Sequence, residues 1–336
     1  MNGPVVAVVG ATGAVGTEML DTLERRHFPV GSLRLMASAR SAGRVLDTPW
    51  GEVTVEDLTE ADPAGIDVAL FSAGGGRSKD HAPRFADAGA VMVDNSSAWR
   101  MDPKVPLVVA GVNDAAAAGH EGIIANPNCT TMALLMGLAP LHRAAGLESM
   151  VVSSYQSVSG TGVAAMDVLA DEVKVLGDQR DALRYGGWEV PDSDVYPRPI
   201  GFNVLPLAGS ITDAGHTDEE WKLVHETRKI LDAPDVAVEA TCVRVPVVVG
   251  HGISATAWFE RPLGPEEAAS LIDAAPGVQV WADTIPTPLD SAGVDDVLVG
   301  RIRPTVGRPG GIAFWLVGDN LRKGAALNAV QIAELV

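Results

Sequence analysis

The apolar pattern of the chain changes character after about its first third. Up to residue 130, short solid apolar runs alternate with amphipathic stretches. Val5–Val9 is a continuous β-branched run, and Leu33–Ala37, Ile66–Phe71, Ala90–Val93, Leu107–Val109 and Gly122–Ala125 read as further buried strands. Between them Val15, Met19, Leu20 and Leu23 recur at helical spacing, and Arg77–Ala88 predicts a second helix. Solid strands alternating with helices predict a parallel, doubly wound α/β sheet. Val53–Val55, framed by polar residues and glycine, predicts a short hairpin arm.

Beyond an apolar helix at Met132–Leu138 the strands lengthen and alternate. Met150–Gln156, Val236–Val245 and Val247–Phe259 are the long ones, with shorter strands near Val278, Val297 and Ala313. Helices are expected over Val163–Leu183, Glu219–Leu231 and Pro265–Ala275, while Tyr185–Pro199 fits no regular element. This pattern predicts an α+β domain with a mostly antiparallel sheet, one face under helices and the other a dimer surface. The last helix, Leu321–Leu335, is expected to cross back. The domains are then residues 1–130 with 319–336, and residues 131–318.

Val5–Val9 runs into Gly10-Ala11-Thr12-Gly13-Ala14-Val15-Gly16 and then a helix. Strand, glycine turn and helix in this order form the opening of a Rossmann-type dinucleotide-binding domain, even though the spacing is G-x-x-G-x-x-G. Gly10, Thr12, Gly13, Ala14 and Val15 are the candidate pyrophosphate cradle, where bare backbone meets a helix N-terminus. After the second strand, an acidic residue for a ribose hydroxyl is missing, and Ser38, Arg40 and Ser41 stand there instead. A guanidinium flanked by hydroxyls suits a 2′-phosphate, which points to NADP. The loops Gly10–Gly16, Ser72–Gly76, Asn95–Arg100 and Asn128–Cys129 should converge at the sheet's C-terminal edge.

Cys129 is the candidate nucleophile. Ile123–Ala125 stops at Asn126-Pro127-Asn128, and a proline pushes the residue before it out of the helical region. Cys129 then falls in the first turn of the next helix, where the dipole and free N–H groups are expected to lower a thiol pKa. A small apolar plug between helix and sheet would look the same locally.

Charge and composition narrow the field. The 336 residues carry a net charge of −18 without a basic run, which argues against a nucleic-acid partner. An anionic substrate must therefore be drawn in by a few local cations. Cys129 and Cys242, the only two cysteines, have neither disulfide nor metal-pair spacing, and a reducing cytoplasm is the simplest compartment. No metal site is expected, since His216 and His225 are too scattered to form one. Neither a signal peptide nor a membrane span is expected.

Taken together, the chain resembles the aspartate-semialdehyde dehydrogenase family over essentially its whole length. The resemblance rests on Gly10–Gly16, Ser38–Gly43, Asn126–Thr131, Gln156-Ser157-Val158-Ser159-Gly160, Cys242–Val247 followed by His251, and the closing Asp319–Ala326. It implies NADP-dependent reductive dephosphorylation of L-aspartyl 4-phosphate to L-aspartate 4-semialdehyde, at the branch toward lysine, threonine, methionine and isoleucine. It also implies a homodimer or homotetramer.

The resemblance assigns roles. Cys129 would attack the acyl carbon, and His251 would deprotonate the thiol and later protonate the alkoxide. Gln156 would orient substrate or cysteine. Asn128, with helix-terminal N–H groups, would stabilise the oxyanion. Arg244 would clamp the α-carboxylate, and Arg100 would bind phosphate. Lys222 would share that phosphate, its spacing from Glu219 placing both on one helix face, and Glu219 would meet the ammonium group. Ser159, Gly160 and Asn320 would touch the nicotinamide half of the cofactor. Two alternatives stay open: a reductase of another acyl phosphate, such as N-acetyl-γ-glutamyl phosphate, or a non-catalytic NADP-binding paralogue. Arg244 with Glu219 speaks against the first, and Cys129 with His251 against the second.

Overall fold

The protein, seen in a computed structural model that describes residues 3–212 and 214–336, is built on two sheets. The first has seven strands in the order β3-β4-β2-β1-β5-β6-β7. They are β1 (Val5–Val9), β2 (Ser32–Ala37), β3 (Val45–Thr48), β4 (Gly51–Asp57), β5 (Val68–Phe71), β6 (Val91–Asp94) and β7 (Ile123–Ala125). All neighbours run parallel except the β3–β4 hairpin. Helices α1 (Ala14–Arg25) and α2 (Gly75–Asp87) follow β1 and β5, and solid apolar strands such as Val6–Val9 are wholly buried between layers. The turn after β1 requires glycine at its first position. Gly10 has φ +89°, and a Cβ there would stand 2.2 Å from the carbonyl oxygen of Ser72.

Helix α3 (Cys129–Ala145) leaves the edge strand β7 and lies in the main core against the second sheet. That sheet comprises β8 (Leu147–Gln156), β9 (Ala237–Arg244), β10 (His251–Phe259), β11 (Val278–Trp281), β12 (Val297–Pro304) and β13 (Gly311–Gly318). Its order is β11-β12-β13-β10-β8-β9. The three central pairings are antiparallel and the two outer ones parallel. Side chains alternate along β8 from Met150 to Gln156. Met150 and Val152 face the core, whereas Val151 and Tyr155 lie on the far face, where Tyr155 meets Trp315 at 5.6 Å between ring centroids. The remaining helices are α4 (Val163–Gly177), α5 (Arg180–Tyr185), α6 (Asp218–Ile230), α7 (Pro265–Asp273), α8 (Pro288–Ser291) and α9 (Leu327–Ala333). No helix among the described residues is long and apolar enough to cross a membrane.

Four sequence expectations change. Leu107–Val109 is buried but forms only an isolated bridge, Leu107 to Ala125. The Asn113 side chain takes the place of a neighbouring strand, accepting from the Val109 N–H at 2.8 Å and donating to the Leu107 carbonyl at 2.9 Å. The helix expected over Val163–Leu183 breaks after Gly177, where the Gln179 side chain turns back to bond both backbone groups of Glu189 at 2.6 and 2.8 Å. Val247–Gly250 stays out of β10 as a loop, turned by Gly250 at φ +97°. The closing segment does return to the first sheet, packing Ala326, Ala329, Val330 and Ile332 into its core. Its first turn, however, is a wide π turn over Arg322–Ala326. That widening seats Gly324 on the cysteine, where a Cβ would come within 2.9 Å of the Cys129 Cβ.

Candidate active site

The loops after β1, β5, β6 and β7 do meet, at a cavity of about 270 Å³ lined by Val15, Ser72, Asn95, Arg100 and Asn126–Cys129. The second sheet closes the other side by its register. Parallel β8 and β9 end together with Gln156 opposite Arg244, and antiparallel β10 begins beside them with His251. One strand edge thus delivers three polar side chains, all three buried, to the start of α3.

Cys129 is the first residue of α3. Its Sγ stands 3.2 Å from His251 Nε2. On the other side of the ring, Nδ1 lies 3.1 Å from the Ser157 backbone nitrogen, whose N–H donates to it, and 3.1 Å from Ser157 Oγ. A backbone N–H cannot accept, so the neutral imidazole carries its proton on Nε2, facing the sulfur. Burial, with the nearby Arg244 cation, pushes His251 down to about 3. The thiol moves the opposite way from the expectation based on the helix start. Burial, with the Glu219 carboxylate, pushes Cys129 up to about 11 against the pull of Arg244 and Arg100. The resting pair is therefore neutral, a thiol beside an imidazole.

Asn128 explains part of this. Its side-chain oxygen caps α3, accepting from the N–H groups of Thr130 at 3.0 Å and Thr131 at 3.3 Å, and its amide donates to Glu219 at 2.9 Å. Capping engages the side-chain oxygen, and the bond to Glu219 takes one of the two amide hydrogens, so one remains for the oxyanion role expected from the sequence. Gln156 donates to Thr130 Oγ1 at 2.7 Å and, more weakly, to Glu219 at 3.4 Å.

The two arginines differ in their partners. Arg244, 6% exposed, donates one bond, to the Ser157 carbonyl at 2.7 Å, and its buried Nε has no hydrogen-bond partner. Arg100, 8% exposed, is tied by three: Asn126 O at 2.9 Å, Asn95 O at 2.8 Å and the Glu226 carboxylate at 3.0 Å. Lys222 pairs with Asp218 at 2.6 Å and Glu219 at 2.5 Å, so the predicted shared helix face is real. Burial would raise the Glu219 carboxyl, but Lys222 and the Asn128 amide outweigh it and hold it below its ordinary range.

Ser159, Gly160 and Asn320 also line the cavity. Asn320 is mostly engaged within the protein: its oxygen accepts from Ser157 Oγ and the Gly250 N–H, both at 2.9 Å, and its amide donates to Ser159 Oγ at 2.9 Å. At the cofactor edge, the Gly13 end of α1 has no capping side chain, and neither has the Gly74 end of α2. Thr12 reaches Ser41 at 3.4 Å, joining the glycine turn to the loop after β2, where Ser38 is half-buried. Arg40 is exposed, with no ion pair among the described residues. Cys242 is buried, with burial raising its thiol to about 12, and stands apart from the cavity.

Sequence reasoning missed Ser157, which faces the His251 ring, Gly324, which lies on the cysteine, and Glu226, which holds Arg100. Only Glu226 had a readable signal, since it follows Lys222 by four residues on the same face of α6.

Residues 5–120 match the family described as semialdehyde dehydrogenase, NAD binding domain, and residues 138–323 the semialdehyde dehydrogenase dimerisation domain. The chain is similar to the aspartate-semialdehyde dehydrogenases of Streptomyces akiyoshiensis, at 54% identity over 98% of each chain, and of Mycolicibacterium smegmatis, at 50% over 98% of each. Among solved structures, it resembles aspartate semialdehyde dehydrogenase II of Vibrio cholerae complexed with ASA. That match has a TM-score of 0.95 and 41% identity, and covers 100% of this chain and 98% of the other.

Proposed function

This chain belongs to the aspartate-semialdehyde dehydrogenase family, and we propose that it reduces L-aspartyl 4-phosphate to L-aspartate 4-semialdehyde with NADPH, releasing phosphate. It is an oxidoreductase of amino-acid biosynthesis, serving the route to lysine, threonine, methionine and isoleucine. The observation that carries the reading is a cysteine sulfur 3.2 Å from a histidine in a cavity shared with Arg244, whose buried Nε has no partner.

The fit to NADP rests on the glycine turn, where a Cβ at Gly10 or Gly16 would strike backbone, and on the uncapped start of α1. Gly10, Thr12, Gly13, Ala14 and Val15 would hold the pyrophosphate, and Arg40 with Ser38 and Ser41 the 2′-phosphate. Ser159 and Gly160 would border the nicotinamide, with one Asn320 amide hydrogen left for it. When bound, the cofactor supplies the hydride.

The chain's own residues do the rest. Cys129 Sγ attacks the acyl carbon, the bond from that carbon to the phosphate oxygen breaks, and the thiol proton leaves on the phosphate as hydrogen phosphate. The product is a thioester, a better hydride acceptor than an ester. With its proton on Nε2, His251 is suited to donate a hydrogen bond to the oxyanion, in place of the thiol-deprotonating role expected from the sequence. Once the carbon is reduced, the C–S bond breaks, the aldehyde departs and the thiolate takes a proton from water. Gln156 holds the Thr130 end of the cysteine turn in place. Arg244 has the free donors to clamp an α-carboxylate with two parallel bonds. Glu219, held anionic, suits an ammonium group, and this favours a free amino acid over an N-acylated one. Arg100 and Lys222 would take the phosphate.

The far face of the second sheet supports assembly as a homodimer or homotetramer, and two free cysteines suit a cytoplasmic setting. The division into residues 1–130 with 319–336 and residues 131–318 agrees with α3 packing on the second sheet and α9 on the first. Phosphate-dependent NADPH production tests the whole reading. Aspartate semialdehyde should be oxidised far faster than N-acetylglutamate semialdehyde, and the reverse order would overturn it.

A further inference from the structure

Glu226 is 1% exposed and does not line the cavity, yet its two oxygens serve two different parts of the site. Oε1 accepts from Arg100 Nη1 at 3.0 Å, and Oε2 accepts from the Asn128 backbone N–H at 2.7 Å. One carboxylate therefore joins the arginine read above as the phosphate ligand to the residue that caps the cysteine helix. Its place on α6 is set by spacing. Glu219, Lys222, Glu226 and Lys229 recur every three or four residues on the face turned toward the first sheet's loops. Lys229 extends the same contact, donating to the carbonyls of Arg100, Asp102 and Val105 at 2.7–2.8 Å.

Arg100 does not need Glu226 to stay in place. Two backbone carbonyls already fix the plane of its guanidinium through Nε and Nη2. What Glu226 adds is charge. A carboxylate 3.0 Å from a guanidinium weakens that cation's pull on any other anion, and more so where water is scarce. The same holds for Lys222, paired with Asp218 and Glu219. Arg244, by contrast, has no carboxylate partner among the described residues. Both candidate phosphate cations are thus countercharged and the candidate carboxylate clamp is not. That distribution suits a phosphate that must leave in every reductive turnover and a substrate that must be held through it.

We propose that Glu226 is a positioning residue of the phosphate site, which keeps phosphate affinity low by countercharging Arg100 and fixes the start of the cysteine helix with its other oxygen. The proposal rests on the reading of Arg100 as the phosphate ligand, so its test carries a control for that reading. In the phosphorylating oxidation of aspartate semialdehyde, with inorganic phosphate varied, Glu226→Gln should lower the KM for phosphate about tenfold. It should also lower kcat about tenfold, because an amide cannot accept from both Arg100 and Asn128. The KM for aspartate semialdehyde should stay unchanged. Glu226→Asp keeps the charge and should leave the phosphate KM within about twofold of the parent. A phosphate KM that is unchanged or raised in Glu226→Gln, with only a lower Tm, overturns the proposal. Arg100→Gln separates the two ideas. If it raises the phosphate KM while Glu226→Gln fails to lower it, the phosphate reading stands and the role of Glu226 falls. If Arg100→Gln leaves the phosphate KM unchanged, both fall.

Discussion

Two helices start at the same edge of the first sheet, and their first turns are built in opposite ways. The Gly13 end of α1 carries no capping side chain, and its turn is shaped by glycines whose Cβ would collide with backbone. The Asn128 end of α3 is capped at two N–H groups, buried, and bonded to Glu219 and Glu226. A bare start offers its donors to an anion that comes and goes, such as a pyrophosphate. A capped start uses its donors internally, so little of the helix field is left for the cysteine it carries. Burial and the Glu219 carboxylate then push the thiol up to about 11 on a helix N-terminus, where the location alone suggests a lowered value. On the proposed mechanism, activation of the thiol is left to the arrival of the substrate, whose phosphate can take the proton.

The largest break between the two starts should come from Cys129→Ser. Turnover should fall at least about a thousandfold, because the thioester is lost, while NADP titration by fluorescence stays at the parent affinity. Weakened cofactor binding would show that the two starts act as one site. The next effect concerns the neutral pair. With the thiol at about 11 and His251 at about 3, neither group titrates between pH 6 and 9. The thiolate fraction then rises tenfold per pH unit, and alkylation of the free enzyme by iodoacetamide should speed up about a hundredfold from pH 7 to pH 9. A flat rate across that window would mean a preformed thiolate–imidazolium pair instead. A smaller effect is expected at the bare start's own edge. Arg40→Ala should raise the KM for NADP about tenfold and leave that for NAD nearly unchanged, through loss of a charge-assisted bond. Equal changes for both cofactors would remove Arg40 from the 2′-phosphate.

What the sequence made legible follows the same division. The bare start is a local device, and Gly10, Gly13 and the missing acidic residue after β2 can be read from adjacent positions. The parallel order of the first sheet follows from solid strands alternating with helices. The capped start depends on partners far along the chain. Glu219 and Glu226 lie more than ninety residues from Asn128, so nothing local showed that Asn128 would be tied to two carboxylates, or that burial would outweigh the helix dipole at the thiol. Leu107–Val109 misled for a related reason. A strand-like apolar run needs neighbours along its length, and here the side chains of Asn113 and Asn328 stand in for them. Likewise the π turn, which lays Gly324 on the cysteine, carries no periodicity of its own, and its buried Lys323 bonds Ala110, Asn328 and Gln331, the first more than two hundred residues away.

The smallest change tests the capped start most directly. Asn128→Ala removes the acceptor for the Thr130 and Thr131 N–H groups and the donor to Glu219. Losing a cap of this kind costs about 1 kcal/mol, which in a chain of this size moves Tm by only about 1–2 °C. The consequence for the sulfur should have the opposite sign. Two N–H groups are freed in the first turn beside Sγ, and they favour the thiolate there as they would favour a bound anion at α1. The variant should therefore be slightly less stable and yet alkylate faster than the parent at pH 8, with its log-rate profile displaced to lower pH. A slower or unchanged alkylation rate would mean that the cap is not what quenches the helix field, leaving burial and the Glu219 charge to hold the thiol up by themselves.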